Sequence, residues 1–257
     1  MTEVIRLSNI GPDDFPEHWF ELANESHFWF KARAGAFHNQ LKALKLPLNK
    51  NWKGIEIGCG NGLVRNQLES FSSWETDGAD IQINALIHNT SRKGNTYLYN
   101  IHEKHSEFKD KYDFIVLFDV LEHIPDTTEF LNSVLFHLKP GGYLFLNVPA
   151  LNHLKSKYDE VVGHIRRYDK NMMANEFKNM PVKVIDQRFW ALSLVPLLYL
   201  RLWFGKKTGS TEEIVNNGMK PPSKLMNQMM EFVLNSEQKL FKNPTIGASL
   251  LTCIQKN

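Results

Sequence analysis

The run "GIEIGCGNGLVRNQL", Gly54 to Leu68, constrains this chain more than any other stretch. An apolar, β-type segment ends at Glu56-Ile57, and glycines follow at every second position, Gly58, Gly60 and Gly62. An amphipathic helical pattern then begins at once, with Leu63, Val64, Leu68 and Phe71 on one face. A buried strand, a loop stripped of side chains and a helix in that order place a ligand-sized opening at the carboxyl end of a strand.

The alternation continues to about residue 148. "TDGAD" closes a second strand, "TYLYN" is a third and "YDFIVLF" a strongly apolar fourth. Asp126 followed by Glu129 is an aspartate form of the capping box, ahead of a helix carrying Phe130, Leu131, Val134, Leu135 and Leu138 inward. Pro140, Gly141 and Gly142 are expected to stop that helix, and "YLFLNVP" is a fifth strand. Near-continuous apolar strands alternating with helices mean a mostly parallel sheet covered on both faces, an α/β, Rossmann-like doubly wound architecture. "PVKVIDQRF" and "GASLLTCIQK" bring the expected count to seven strands. The chain divides into an N-terminal helical lid over 1–50, a core over 51–189 plus 245–257, and a helical insertion or cap over 190–244.

Lys plus Arg total 30 against 28 for Asp plus Glu, a balance unlike that of a protein built to neutralise phosphate backbones, so no nucleic-acid partner is expected. Cys59 and Cys253 lie almost a chain length apart, without a second Cys or His at ligand spacing. Neither a disulfide framework nor a metal site is indicated. The opening "MTEVIRLSNIGPDDF" has acidic residues and no sustained apolar core, so the expected location is cytoplasmic.

Three cradles compete for the glycine loop. A phosphate P-loop requires Gly-Lys-Ser/Thr, and Gly62 is followed by Leu63 and Val64. A dinucleotide fingerprint counted from Gly58 and Gly60 puts Leu63 where close packing wants almost no side chain. What remains, Glu56-Ile57-Gly58-Cys59-Gly60-Asn61-Gly62, resembles motif I of class I S-adenosylmethionine-dependent methyltransferases. Bare backbone suits close approach to an amino-acid moiety, and a carboxylate suits a ligand carrying an ammonium and a sulfonium. The resemblance extends in order through "TDGAD", "YDFIVLFDVLEHIPD" and "LKPGGYLFLNVP", covering about residues 52–150. It also takes in "HFWFKARAGAF" and "VVGHIRRYDK", which look like flanking segments of a bacterial group of small-molecule methyltransferases.

That resemblance implies a final strand antiparallel to the rest, S-adenosyl-L-methionine as cofactor and S-adenosyl-L-homocysteine as product. Asp80 takes both ribose hydroxyls, as a carboxylate can accept two hydrogen bonds from a vicinal diol. Ile81 borders the cofactor, Asn100 lies toward the adenine edge, Asp119 to His123 line the methionine side with Asp119 and Val120 at the cofactor, and Trp29, Phe30 and Arg33 form a lid whose arginine pairs with the cofactor carboxylate. Methyl transfer is an in-line displacement in which alignment and exclusion of water carry most of the barrier reduction. If the acceptor is a hydroxyl or amine a base helps, and His123 and His164 are the imidazoles at the expected mouth. Arg166, Arg167 and Tyr168 would meet an anionic acceptor.

The apolar segment over 189–207 contains Pro196 and Arg201 and is too short and broken to span a bilayer. Two readings stay open: a cap on the sheet or on a second copy in a homodimer, or an interfacial segment at the inner membrane delivering a lipophilic small molecule. An NAD-dependent oxidoreductase and a catalytically silent cofactor-binding regulator are the alternatives to a methyltransferase.

Overall fold

The computed structural model describes residues 3–11, 25–91, 93–204 and 222–257. Its centre is β5 (Tyr112–Phe118), whose "YDFIVLF" sequence alternates between two packed layers. Ile115 and Leu117 face one core together with Leu144, Leu146, Leu250 and the helix α4 (Thr127–His137). Phe114, Val116 and Phe118 face the other, against α1 (Phe28–Ala43), α2 (Leu63–Phe71) and Leu234. Period-two alternation with both faces apolar is what a central strand covered on both sides requires.

The remaining strands are β1 (Val4–Arg6), β2 (Lys53–Ile57), β3 (Glu75–Asp80), β4 (Thr96–Leu98), β6 (Leu138–Pro149), β7 (Val182–Trp190) and β8 (Ser249–Lys256), with the short helix α3 (Ile83–Leu86) between β3 and β4. Their order is β1-β4-β3-β2-β5-β6-β8-β7, and β8 runs antiparallel to both its neighbours while the other pairings are parallel. The doubly wound sheet with a reversed last strand is therefore as expected, with eight strands where seven were read. The extra one, β1, pairs with β4 at the edge. The switch in strand order falls between β2 and β5, so the crevice beyond their carboxyl ends is where a ligand belongs.

Two local expectations are corrected. Lys139 to Gly142 are not a loop after a helix: α4 ends at His137 and β6 already begins at Leu138, with a register irregularity against β5 between Tyr112 and Phe114 absorbing Pro140. Pro196 does not interrupt the apolar segment either. It sits in the first turn of a helix over Val195–Phe204, where its missing N–H leaves no helical bond unmade. Among the described residues no helix is long and apolar enough to cross a membrane. The helix Lys224–Leu240 packs on α1: Phe28 N–H donates to Asn227 Oδ1 at 3.0 Å, Lys31 pairs with Glu231 at 2.9 Å, and Gln238 donates to the Ala32 carbonyl at 2.9 Å.

Candidate active site

The three loop glycines all take positive φ: Gly58 at 74°, Gly60 at 50° and Gly62 at 82°. At Gly58 a side chain is excluded twice over, because a Cβ there would also lie 2.4 Å from Val120 Cγ2. A Cβ on Gly60 would meet nothing within 4 Å, so the loop opens onto clear space at that point. Asp80, closing β3, ties the loop down: its Oδ2 accepts from Gly60 N–H and its Oδ1 from Gln82 N–H, both at 2.9 Å. Next to it Ile81 is 54% exposed, an apolar side chain presented at the strand's carboxyl end. Cys59 turns away, packing with Leu86 and Leu98, so only its main chain borders the opening. Asn100 caps the turn that follows β4, accepting from His102 N–H at 3.1 Å, while its own N–H donates to Ser8 Oγ at 2.8 Å.

Glu56 lies under the loop, buried, with Oε2 lacking any hydrogen-bond partner. Burial pushes its carboxyl up to about 8, against the opposing pull of Arg65 and Arg33. On the opposite wall Asp119 follows β5 at φ 56° and is held by three groups. Arg33 donates to Oδ2, Asn147 Nδ2 donates to Oδ1 at 2.7 Å, and the Asp119 N–H reaches the Asn147 carbonyl at 2.8 Å. The Asn147 side-chain oxygen in turn accepts from Trp190 Nε1 at 2.9 Å, and Trp190 stacks on Trp29 of α1 at 4.5 Å. Arg33 is buried between the Phe30 and Phe118 rings, at 5.0 and 5.5 Å, and its Nε has no partner, leaving one N–H for a further acceptor. Asn147 was not singled out from the sequence; the one signal was an amide inside the otherwise apolar "YLFLNVP". Replacing Asn147 with leucine strands the buried indole N–H and one Asp119 oxygen together, and is expected to cost about 1–3 kcal/mol in urea unfolding.

Beyond Asp119, the turn Leu121–His123 meets the loop that carries His164. The two imidazoles stand edge to face at 4.9 Å. His123 Nδ1 donates to the Gly163 carbonyl at 3.1 Å and His164 Nδ1 to Asp159 Oδ1 at 2.9 Å, so the Nε2 lone pair is the exposed function of each ring. Burial and then the neighbouring His164 lower His123 below the usual imidazole value. Burial opposes the charge on Asp159, but hydrogen bonds from His164 and Ser156 N–H and the Arg167 charge outweigh it and hold its carboxylate well below the ordinary range. Glu122, in the same turn, adds a buried carboxyl 3.9 Å from His164 Nε2.

The three candidates for acceptor contact separate here. Arg167 is buried, bonding Asp159 Oδ1 at 3.1 Å and the Ala150 carbonyl at 3.1 Å. Tyr168 is fully buried with its hydroxyl on Glu176 at 3.3 Å. Both brace the loop from inside, against the expectation that they meet the acceptor. Arg166 is partly exposed, donating to the Pro125 carbonyl at 3.2 Å.

A family model described as a methyltransferase domain matches residues 28–204. The chain belongs to the S-adenosylmethionine-dependent methyltransferases. Among curated relatives, this methyltransferase is 25% identical over 163 residues to a ubiquinone biosynthesis O-methyltransferase of Hydrogenovibrio crunogenus, covering 59% of this chain and 66% of the relative, just under two-thirds of its length. It is 28% identical over 182 residues to the protein of the same name from Vibrio vulnificus, covering 62% of this chain and 72% of that one. A crystal structure of a SAM-dependent methyltransferase from Archaeoglobus fulgidus superposes with a TM-score of 0.54 at 14% identity, over 87% of this chain and 94% of the other, a likeness of fold. The residues present fit the family's cofactor. The open side of Gly60 leaves room for it, and the unpartnered Glu56 oxygen and Arg33 Nε are the complements of an ammonium and a carboxylate.

Proposed function

We propose that this methyltransferase transfers a methyl group to a hydroxyl oxygen of a small, lipophilic or sugar-linked acceptor. The observation that carries the reading is the pair of imidazoles, His123 and His164, 4.9 Å apart just beyond Asp119, whose Nδ1–H groups are both tied back so that Nε2 is the ring nitrogen left to act on a proton. S-adenosylmethionine, when bound, supplies an electrophilic sulfonium methyl. The chain's part is to align and to manage one proton. Asp80 with Ile81, and Glu56 with Arg33, are the residues that would hold the two ends of the cofactor. With the cofactor held there, the acceptor oxygen would take the methyl and the C–S electron pair would return to sulfur. The hydroxyl proton leaves toward the imidazole side, where an Nε2 can receive or polarise it. The names of the curated relatives, ubiquinone biosynthesis O-methyltransferases, support oxygen over nitrogen.

Lipophilicity of the acceptor is supported by the helix Val195–Phe204, where Leu197, Leu200 and Trp203 are exposed, Trp203 by 77%. That helix holds the loop bearing His164: Arg201 lies over the Tyr158 ring at 3.9 Å and Tyr199 shares a hydrogen bond with His153 at 2.9 Å. A cytoplasmic protein touching the inner membrane peripherally through 189–204, or covering that face in a homodimer, is the arrangement we infer; Gly205 to Lys207 of the expected contact lie outside the described residues. The test is transfer of labelled methyl from S-adenosylmethionine into cell extract, partitioned into aqueous, lipid and macromolecular fractions. Label in the organic phase, resistant to mild alkali as a methyl ether is and a methyl ester is not, is the expected result. Label confined to macromolecules, or to an alkali-labile ester, would overturn the reading.

A further inference from the structure

We propose that Arg201 receives a carboxylate of the acceptor, so that the molecule methylated is a hydroxy acid. Its anionic group rests on the helix Val195–Phe204 and its hydroxyl at the imidazole pair. The inference rests on the methyl-transfer reading and narrows its substrate. Arg167, expected to meet an anionic acceptor, is occupied by Asp159 and the Ala150 carbonyl. Arg201 lies across the same loop, its guanidinium carbon 3.9 Å from the centre of the Tyr158 ring.

Three observations single out this arginine. The first is its place on the helix. Val195, Leu198 and Arg201 follow one another at a spacing of three and are the least exposed residues from Val195 to Trp203, so the guanidinium belongs to the inward face. Leu197, Leu200 and Trp203 make the outward one. The second is its lack of hydrogen bonds. Of the described arginines drawn in from the surface, Arg33, Arg65, Arg166, Arg167 and Arg188 each donate to at least one oxygen. Among the described residues nothing accepts from Arg201. A guanidinium drawn partly out of water with its N–H groups uncommitted is a costly arrangement unless an anion meets it. Burial pulls the group below the ordinary arginine value, and Tyr158 and Asp159 offset only part of that loss.

The third is the ring beneath it. Tyr158 stands in the short helix Lys157–Val161, directly before Asp159, whose Oδ1 takes the His164 Nδ1–H. Its hydroxyl bonds to no described residue. Burial pushes that hydroxyl up to about 12; the Arg201 charge opposes the rise, and the Asp159 and Asp119 carboxylates add to it. Tyr158 is thus a neutral donor that feels both the support of His164 and the wall of the cofactor crevice, and it links Arg201 to the place of transfer. Asp119 and Asp159 already have Arg33 and Arg167, which leaves Arg201 as the uncompensated charge at this end.

Stacking on Tyr158 covers one face of the guanidinium and leaves its N–H edge free, the geometry that takes both oxygens of a planar carboxylate. One negative charge balances it. A phosphate dianion would bring a second negative charge toward Asp119 and Asp159. A lipid phosphate would be met from the outward face, and Arg201 is turned the other way.

The test is calorimetric binding of 2-, 3- and 4-hydroxybenzoate to the full chain saturated with S-adenosylhomocysteine, each acid beside its primary amide, which keeps the hydroxyl and drops the charge. At least one acid should bind about 10–100-fold more tightly than its amide, the effect of a charged hydrogen-bonded contact. In Arg201→Gln acid and amide should bind within about twofold of each other, and Arg201→Lys, which keeps the charge without the fork, should recover part of the preference. Unchanged S-adenosylhomocysteine affinity in both variants shows that they have folded. In turnover of the preferred acid, Arg201→Gln should raise KM by about tenfold or more and leave kcat within about threefold, because the contact is the same before and during transfer. Equal binding of acid and amide by the native chain, no binding of any acid at millimolar concentration, or a preference that survives Arg201→Gln would overturn the proposal. So would an unaltered acid-to-amide ratio in Arg201→Gln with loss of flotation on phosphatidylglycerol vesicles, which would give the arginine to a lipid phosphate. Methylation of a neutral acceptor from cell extract at the same rate by Arg201→Gln overturns the hydroxy acid while sparing the methyl-transfer reading. Acid binding that depends on Arg201, in a protein that methylates no hydroxyl, supports the site and removes the reading beneath it.

Discussion

Asp80→Ala is expected to weaken S-adenosylhomocysteine binding by roughly 10²–10⁴-fold, the largest single effect at this site. Asp80 does two things at once. Its oxygens accept from Gly60 and Gln82 N–H at 2.9 Å each, which fixes the loop together with Asn89 Nδ2, a donor to the Gly60 carbonyl at 3.3 Å. A carboxylate can accept about four hydrogen bonds, so the same group serves the loop and a ribose diol together. Hydrogen bonds to a charged group contribute about 1.5–3 kcal/mol each, and losing two of them gives the range above. Calorimetric titration reads the loss directly. The 2′-deoxy analogue separates the two roles: it should bind the native protein at least tenfold more weakly than the natural ligand, and the alanine variant equally well. A variant that still discriminates the two sugars would show that the diol is held elsewhere.

How much of this was visible in the sequence follows from the range over which each feature is determined. The glycine loop was legible because positive φ at three alternating positions is a local demand that only glycine meets cheaply. Asp126 was legible as a cap for the same reason, accepting from the N–H three residues on at 3.0 Å. By contrast β1 is three residues, only one of them half-buried, and exists because β4 offers it an open edge some ninety positions away. Arg166 and Arg167 are equivalent as letters. Which one is buried is decided by Asp159, delivered from the preceding turn of chain. The path from Trp29 through Trp190 and Asn147 to Asp119 and Arg33 draws on four separate elements. No spacing rule could have assembled it. The same holds for Glu122 with His164, forty-two positions apart and joined only because Ile165 N–H bonds the Glu122 carbonyl at 2.8 Å.

Affinity for S-adenosylhomocysteine should rise with pH below about 8, and the rise should vanish in Glu56→Gln. Burial raises the free-state value of Glu56 to about 8, so the carboxyl is protonated at neutral pH. A ligand ammonium beside its unpartnered Oε2 favours the charged form, and binding therefore releases a proton. While Glu56 is ionised in the complex and neutral in the free protein, affinity climbs about tenfold per pH unit, or roughly thirtyfold from pH 6 to 7.5. Calorimetry at pH 7 in buffers of different ionisation enthalpy should count close to one proton released, and none for Glu56→Gln. The linkage to stability has the opposite sign. Between the unfolded carboxyl value near 4.3 and the folded value of about 8, the folded chain holds a proton that the unfolded chain lacks, so this residue's contribution falls as pH rises through that window. Glu56→Gln should thus melt above the native protein by a margin that grows from pH 5 to 8, while binding cofactor less well at the upper end. A pH-independent affinity in the native protein would place the ammonium away from Glu56 and leave its unpaired oxygen to some other donor.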